Sequence, residues 1–188
     1  MVFTRKELKE YLIADARNFK NQTTVLSRRL KADIFSSPIS EQKHIWGYIK
    51  HMRFVEYYGY MKTKSRIYLL PYLYHLSKLR KESHITGFQI APGTCGKGLT
   101  IWHWGPIIIN GKARIGDNCT LFPGVLIGQK SSGGECPKIG NNVFIGSGTK
   151  IIGAIKIGDN VTIGQNCVIV KDVADNQTIV VSDKFRII

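Results

Sequence analysis

The chain has 188 residues, enough to bury an apolar core as one domain or two small ones, and a net charge of +14. No stretch reaches the roughly 18 apolar residues of a membrane span, and the polar opening MVFTRKELKEY lacks a signal-peptide core, so a cytoplasmic protein is expected. Four cysteines, Cys95, Cys119, Cys136 and Cys167, show no CxxC spacing and no nearby histidine, which argues for reduced thiols and against zinc or disulfides.

The charge is uneven. Residues 1–84 hold 17 Lys and Arg against 7 Asp and Glu, whereas residues 85–188 hold 10 against 6. Such an excess fits a solvated face or an anionic partner: a phosphorylated substrate, the inner face of a membrane, or nucleic acid. No nucleic-acid motif is recognisable, so a basic scaffold or nucleic-acid module is the outlying reading.

The first 84 residues read as a helical domain. Thr4 and Glu7 form a capping box ahead of a helix whose apolar face is Leu8, Tyr11, Leu12, Ala16 and Phe19. Residues 20–35 carry a weaker helical pattern. Pro38 suits the first turn of a second helix, which Gly59 is expected to close. A third run, SRIYLLPYLYHLSKLRK, is expected to kink or split at Pro71.

From residue 85 the period changes to six. Ile109, Ile115, Leu121 and Ile127 are followed, after one missed beat, by Ile139, Ile145, Ile151, Ile157, Ile163 and Ile169. Four places after these come mostly small or β-branched residues such as Ala113, Cys119, Val125, Thr149 and Cys167. Each unit is a short strand and a turn with one large aliphatic side chain aimed inward. A single unit cannot bury that side chain, so coils must stack as a parallel β-helix. The missed beat falls on Gly133 within QKSSGGECPK, which reads as a loop extruded at about 129–138. The expected architecture is α+β: a helical domain over 1–84, then a β-helix over 85–188.

Within this pattern GLTIWHWGPIIING is unusual. His103 is the last histidine in the chain, and counting back by six from Ile109 puts it in the inward register. An imidazole sealed in an apolar prism would be costly, so the coil is expected to be irregular there, with the ring facing a groove. Trp102 and Trp104 should face away from His103, either packed at a subunit contact or on the helical domain, or offered to an acceptor as a stacking platform.

Residues 85–188 resemble the left-handed β-helix acyltransferases, specifically the serine acetyltransferase group. The resemblance is carried by GKGLTIWHWGPIII, NCTLFPGVLIG, CPKIGNNVFIGSGTKIIGAIKIGDNVTIGQ and VIVKDV. It implies a homotrimer with acetyl-coenzyme A between neighbouring β-helices, no metal, and His103 as general base on the acceptor hydroxyl. Imidazole suits that task because it is neutral near pH 7 and accepts one proton. Matched positions for the cofactor are Gly128, Gln129, Ser147, Gln165 and Lys171, with Lys184 or Arg186 as further phosphate contacts. Gly105 or the loop glycines would donate an N–H to the developing oxyanion.

The sequence departs from that group in four places. Trp102 replaces the aspartate before the catalytic histidine, and apolar residues around Phe88 and Gln89 replace a second acid upstream. Glu135-Cys136 replace an Arg-His pair associated with the amino-acid substrate. VVSDKFRII replaces the usual ending. By elimination, Glu56 and Glu135 are the candidate acids to orient His103. Without the cationic pair the expected acceptor is a saccharide hydroxyl of a surface polysaccharide pathway, with L-serine as the alternative.

Overall fold

The computed structural model describes residues 2–23 and 41–181. The expected helix through 24–35, the helix start at Pro38, and Lys184 and Arg186 lie outside the described residues.

Helix α1 spans Arg5–Thr23, α2 Glu41–Lys64 and α3 Leu69–Thr86. The capping box forms: the Thr4 amide donates to Glu7 Oε2 at 2.8 Å and the Glu7 amide to Thr4 Oγ1 at 3.1 Å. Two expectations fail for local reasons. Gly59 does not close α2, which runs on to Lys64; the glycine is interior and faces the ring of Tyr72. Pro71 does not break α3, because the helix begins at Leu69 after a 3₁₀ turn over Arg66–Tyr68. The proline therefore stands in the first turn, where no amide is required. Gly87 caps α3 with a φ of 78°, its amide donating to Ser83.

Beyond Gly87 the chain winds a left-handed β-helix. Its three faces are parallel sheets. The first stacks β1 (Phe88–Ile90), β3 (Ile107–Ile109), β6 (Leu126–Gly128), β9 (Lys150–Ile152) and β12 (Val168–Ile169). The second stacks β4 (Arg114–Ile115), β7 (Lys138–Ile139) and β10 (Lys156–Ile157). The third stacks β2 (Thr100–Ile101), β5 (Thr120–Leu121), β8 (Phe144–Ile145), β11 (Thr162–Ile163) and β13 (Thr178–Ile179). All ten six-spaced aliphatic residues are buried. Each contributes about 1.5–3 kcal/mol by leaving water. Ile109 pairs with Ile127 and Ile151 with Ile169, 18 residues apart, whereas Ile127 pairs with Ile151, 24 residues on. The loop thus inserts one extra repeat length between Gly128 and Lys138 and leaves the prism undisturbed.

One corner is held by side-chain ladders. Asn118, Asn142, Asn160 and Asn176 adopt positive φ, and each of the first three passes an amide hydrogen bond to the next. All four cysteines are free and buried. Burial pushes the Cys95 thiol up to about 11 and that of Cys119 up to about 12, so both stay protonated.

The two halves share one core. Ile45, Ile49 and Met52 of α2 pack in the same cluster as Phe88, Leu99, Ile101 and the prism residues. A buried ion network joins them: Arg53 donates to Asp15 at 2.9 Å, to Glu56 at 3.2 Å and to the carbonyls of Cys95 and Gly96. Asp15 also accepts the amides of Gly98 and Leu99, and Glu56 that of Gly93. Burial opposes the Arg53 charge, but Asp15 and Glu56 outweigh it and the guanidinium is held more firmly protonated.

Candidate active site

The strand pairing explains why His103 is not in the prism. Ile101 pairs with Leu121 and Ile109 with Ile127. The chain therefore takes eight residues from one inward position to the next on the His103 coil and six on the coil above. Two extra residues bulge out within the stretch 102–106, and counting back by six from Ile109 stops two residues short of the inward Ile101. Ile101, fully buried, holds the inward register, and the His103 side chain is 61% exposed.

The same register places other candidates. Two residues beyond the paired Leu121, Ile145 and Ile163 stand Pro123, Ser147 and Gln165, on the corner where His103 lies two residues beyond Ile101. Ser147 Oγ donates to the Pro123 carbonyl at 2.8 Å, and Gln165 is exposed. Gly128, Gln129 and Lys171 fall at the opposite edge of the β3-β6-β9-β12 sheet, following the paired Ile127 and Ile169. The five residues thus border one face, with His103 at the end of one border. Hydroxyl, amide and exposed ammonium groups along an open face suit an extended, phosphate-bearing ligand.

The carboxylate that meets the imidazole is Glu41, in the first turn of α2, with Oε2 3.1 Å from Nδ1. Glu56 is engaged in the Arg53 network, and Glu135 stands exposed in the loop, so the acids named by elimination are not at the ring. A carboxylate only accepts, so the ring proton belongs on Nδ1 and Nε2 carries the lone pair. Neither sequence spacing nor any local motif joins residue 41 to residue 103; only the packing of α2 does.

One helical turn beyond Glu41, His44 buttresses the second tryptophan. Its ring stacks on Trp104 at 6.1 Å, and Nδ1 lies 2.7 Å from Glu82 Oε2 on α3. Trp104 is half-buried against the shared core, so it packs on the helical half. Trp102 is exposed and stacks on Phe122 at 6.4 Å, and Phe122 meets Phe144 at 5.3 Å, forming an aromatic stripe beside His103. The Gly105 amide donates to the Thr86 carbonyl at 2.8 Å and the Gly134 amide to Ser131 at 3.0 Å, so neither is open to an oxyanion. Among the described residues no group of three His, Cys, Asp or Glu is placed to hold a metal ion.

The family model described as bacterial transferase hexapeptide (six repeats) matches residues 136–171. A serine acetyltransferase of Synechococcus elongatus is 39% identical over 121 residues, covering 62% of this chain and 48% of that one. A serine acetyltransferase of Helicobacter pylori is 39% identical over 120 residues, covering 62% of this chain and 68% of its own length. The chain thus spans about half the length of the first relative and two-thirds of the second. In fold it is similar to the Entamoeba histolytica serine acetyltransferase isoform 3 in complex with cysteine, with a TM-score of 0.66 and 24% identity over 96% of this chain and 60% of that one. It is likewise similar to the Neisseria gonorrhoeae serine acetyltransferase in complex with serine, with a TM-score of 0.63 and 22% identity over 95% and 68%.

Proposed function

Since the chain belongs to the serine acetyltransferase family of hexapeptide-repeat acyltransferases, we propose that it transfers the acetyl group of acetyl-coenzyme A to an alcohol, with L-serine as the acceptor. The observation that carries the proposal is His103: an exposed imidazole, its Nδ1 held by a carboxylate, at the corner of a β-helix whose relatives are named for this reaction.

Nε2 of His103 takes the proton of the acceptor hydroxyl as that oxygen bonds to the thioester carbonyl carbon. Glu41 steadies the imidazolium so formed. The carbon–sulfur bond then breaks, and the same nitrogen returns its proton to the leaving thiolate, giving the O-acetyl ester and coenzyme A thiol. Ser147 and Gln165 on the His103 corner, and Gly128, Gln129 and Lys171 on the opposite edge, would border the coenzyme, with Lys171 toward its phosphates. A homotrimer whose neighbouring prism closes the groove completes the proposal.

A saccharide hydroxyl is the second reading, and a specific observation favours it. The loop presents exposed Glu135 and buried Cys136 where a cationic clamp for an amino-acid carboxylate would be wanted, and an aromatic stripe lies beside His103. Thiol release from acetyl-coenzyme A, followed across L-serine and a panel of sugars and nucleotide sugars, separates the two. Turnover with serine and none with sugars supports the first reading, and the reverse supports the second. Failure with every alcohol would overturn both.

A further inference from the structure

Between Glu56 and Glu82 the chain carries Lys62, Lys64, Arg66, Lys78, Arg80 and Lys81 and no acidic residue. The same stretch turns apolar side chains outward. Ile67 is 76% and Leu70 77% exposed, and Tyr60, Leu69, Leu73 and Tyr74 are exposed around them. Leu70, Leu73 and Tyr74 follow the i, i+3, i+4 spacing that puts them on one face of α3. Tyr72, Leu76 and Leu79 take the opposite face into the core.

The cations rim this patch. Lys64 lies over the Tyr60 ring at 5.3 Å and Lys78 over Tyr74 at 5.6 Å. An apolar tip ringed by unopposed cations is poorly matched to water. Nucleic acid would answer the charge and leave the leucines wet, whereas an uncharged protein groove would answer the leucines and leave the charge. An anionic bilayer answers both: aliphatic residues enter the headgroup boundary, tyrosines lie at its level, and lysines reach lipid phosphates.

We propose that the corner between α2 and α3 is a docking surface for anionic lipid membranes, whatever acceptor the active site uses. The test is co-sedimentation of the full chain with vesicles of phosphatidylcholine alone and of phosphatidylcholine mixed with phosphatidylglycerol. Binding to the mixed vesicles alone, released by salt, is expected. The variant Ile67→Asp/Leu70→Asp should lower bound protein about tenfold, with solution mass and acetyl transfer unchanged. Because both side chains already face solvent, that variant should fold; the charge reversal Lys64→Glu/Arg66→Glu should give the same loss.

Four results would overturn the proposal. These are no binding to either vesicle, equal binding to both, or undiminished binding of the variants. The fourth is a lower solution mass for Ile67→Asp/Leu70→Asp, which would make the face a contact with a second copy. Salt-sensitive binding to DNA without vesicle binding would reassign the charge instead.

Discussion

Glu41 reaches His103 across 62 positions of sequence, and the contact fixes which ring nitrogen is basic. Glu41→Gln keeps the shape but removes the charge that favours the imidazolium. We expect kcat to fall about ten- to a hundredfold with KM for acetyl-coenzyme A unchanged. A parallel rise in KM alone would point to a structural role.

The Arg53 network carries a second prediction at this scale. Arg53→Met leaves Asp15 and Glu56 buried without their cation, and denaturant unfolding should show a loss of about 3–5 kcal/mol. His103 was legible as a candidate, because a lone histidine interrupting a run of aliphatic residues demands a reason, although the count by six put it in the wrong register. Its partner was not. An acid in the first turn of a helix is ordinary, and Glu56, the nearest helical candidate by elimination, is occupied by an arginine whose burial no local pattern announces.

Among the elements, the β-helix was legible almost coil by coil, because every inward position obeys one arithmetic. The exception is the two-residue bulge around His103, invisible to a count that starts downstream and assumes equal steps. The helices were less legible. Gly59 and Pro71 are read as punctuation from composition, yet Gly59 admits the Tyr72 ring and Pro71 falls within the first turn of a helix that follows a 3₁₀ turn.

The Asn ladder makes the prism testable. Asn142 holds a φ of 55°, donates to Asn160 at 3.0 Å and accepts from Asn118 at 3.3 Å. Asn142→Ala should cost about 2 kcal/mol, and Asn142→Gly, which relieves the backbone, clearly less. Between α2 and α3, His51 and His75 face each other with Nδ1 atoms 2.9 Å apart. Burial, with Lys50 nearby, lowers both pKa values, that of His51 to about 4. In the unfolded chain both rings protonate near 6.5, so the stability held by their neutral forms is whole above that pH. Thermal midpoints should be flat above about pH 6.5 and fall as the pH drops toward 4, a fall that His51→Phe would lessen.

For the whole molecule, the shared core makes the helical half part of the candidate site, bringing Glu41 to His103 and His44 beneath Trp104. The proposed groove needs a neighbouring prism, so light scattering should give a mass at least three times the chain's 21.2 kDa. The central claim is that His103 is the base of an acetyl transfer, and its most direct test is steady-state release of coenzyme A thiol by the parent chain and by His103→Ala with the acceptor that turns over. The account predicts a variant with an unchanged melting profile and a kcat lower by about 10²–10⁴-fold. Turnover by His103→Ala within a few-fold of the parent would contradict it.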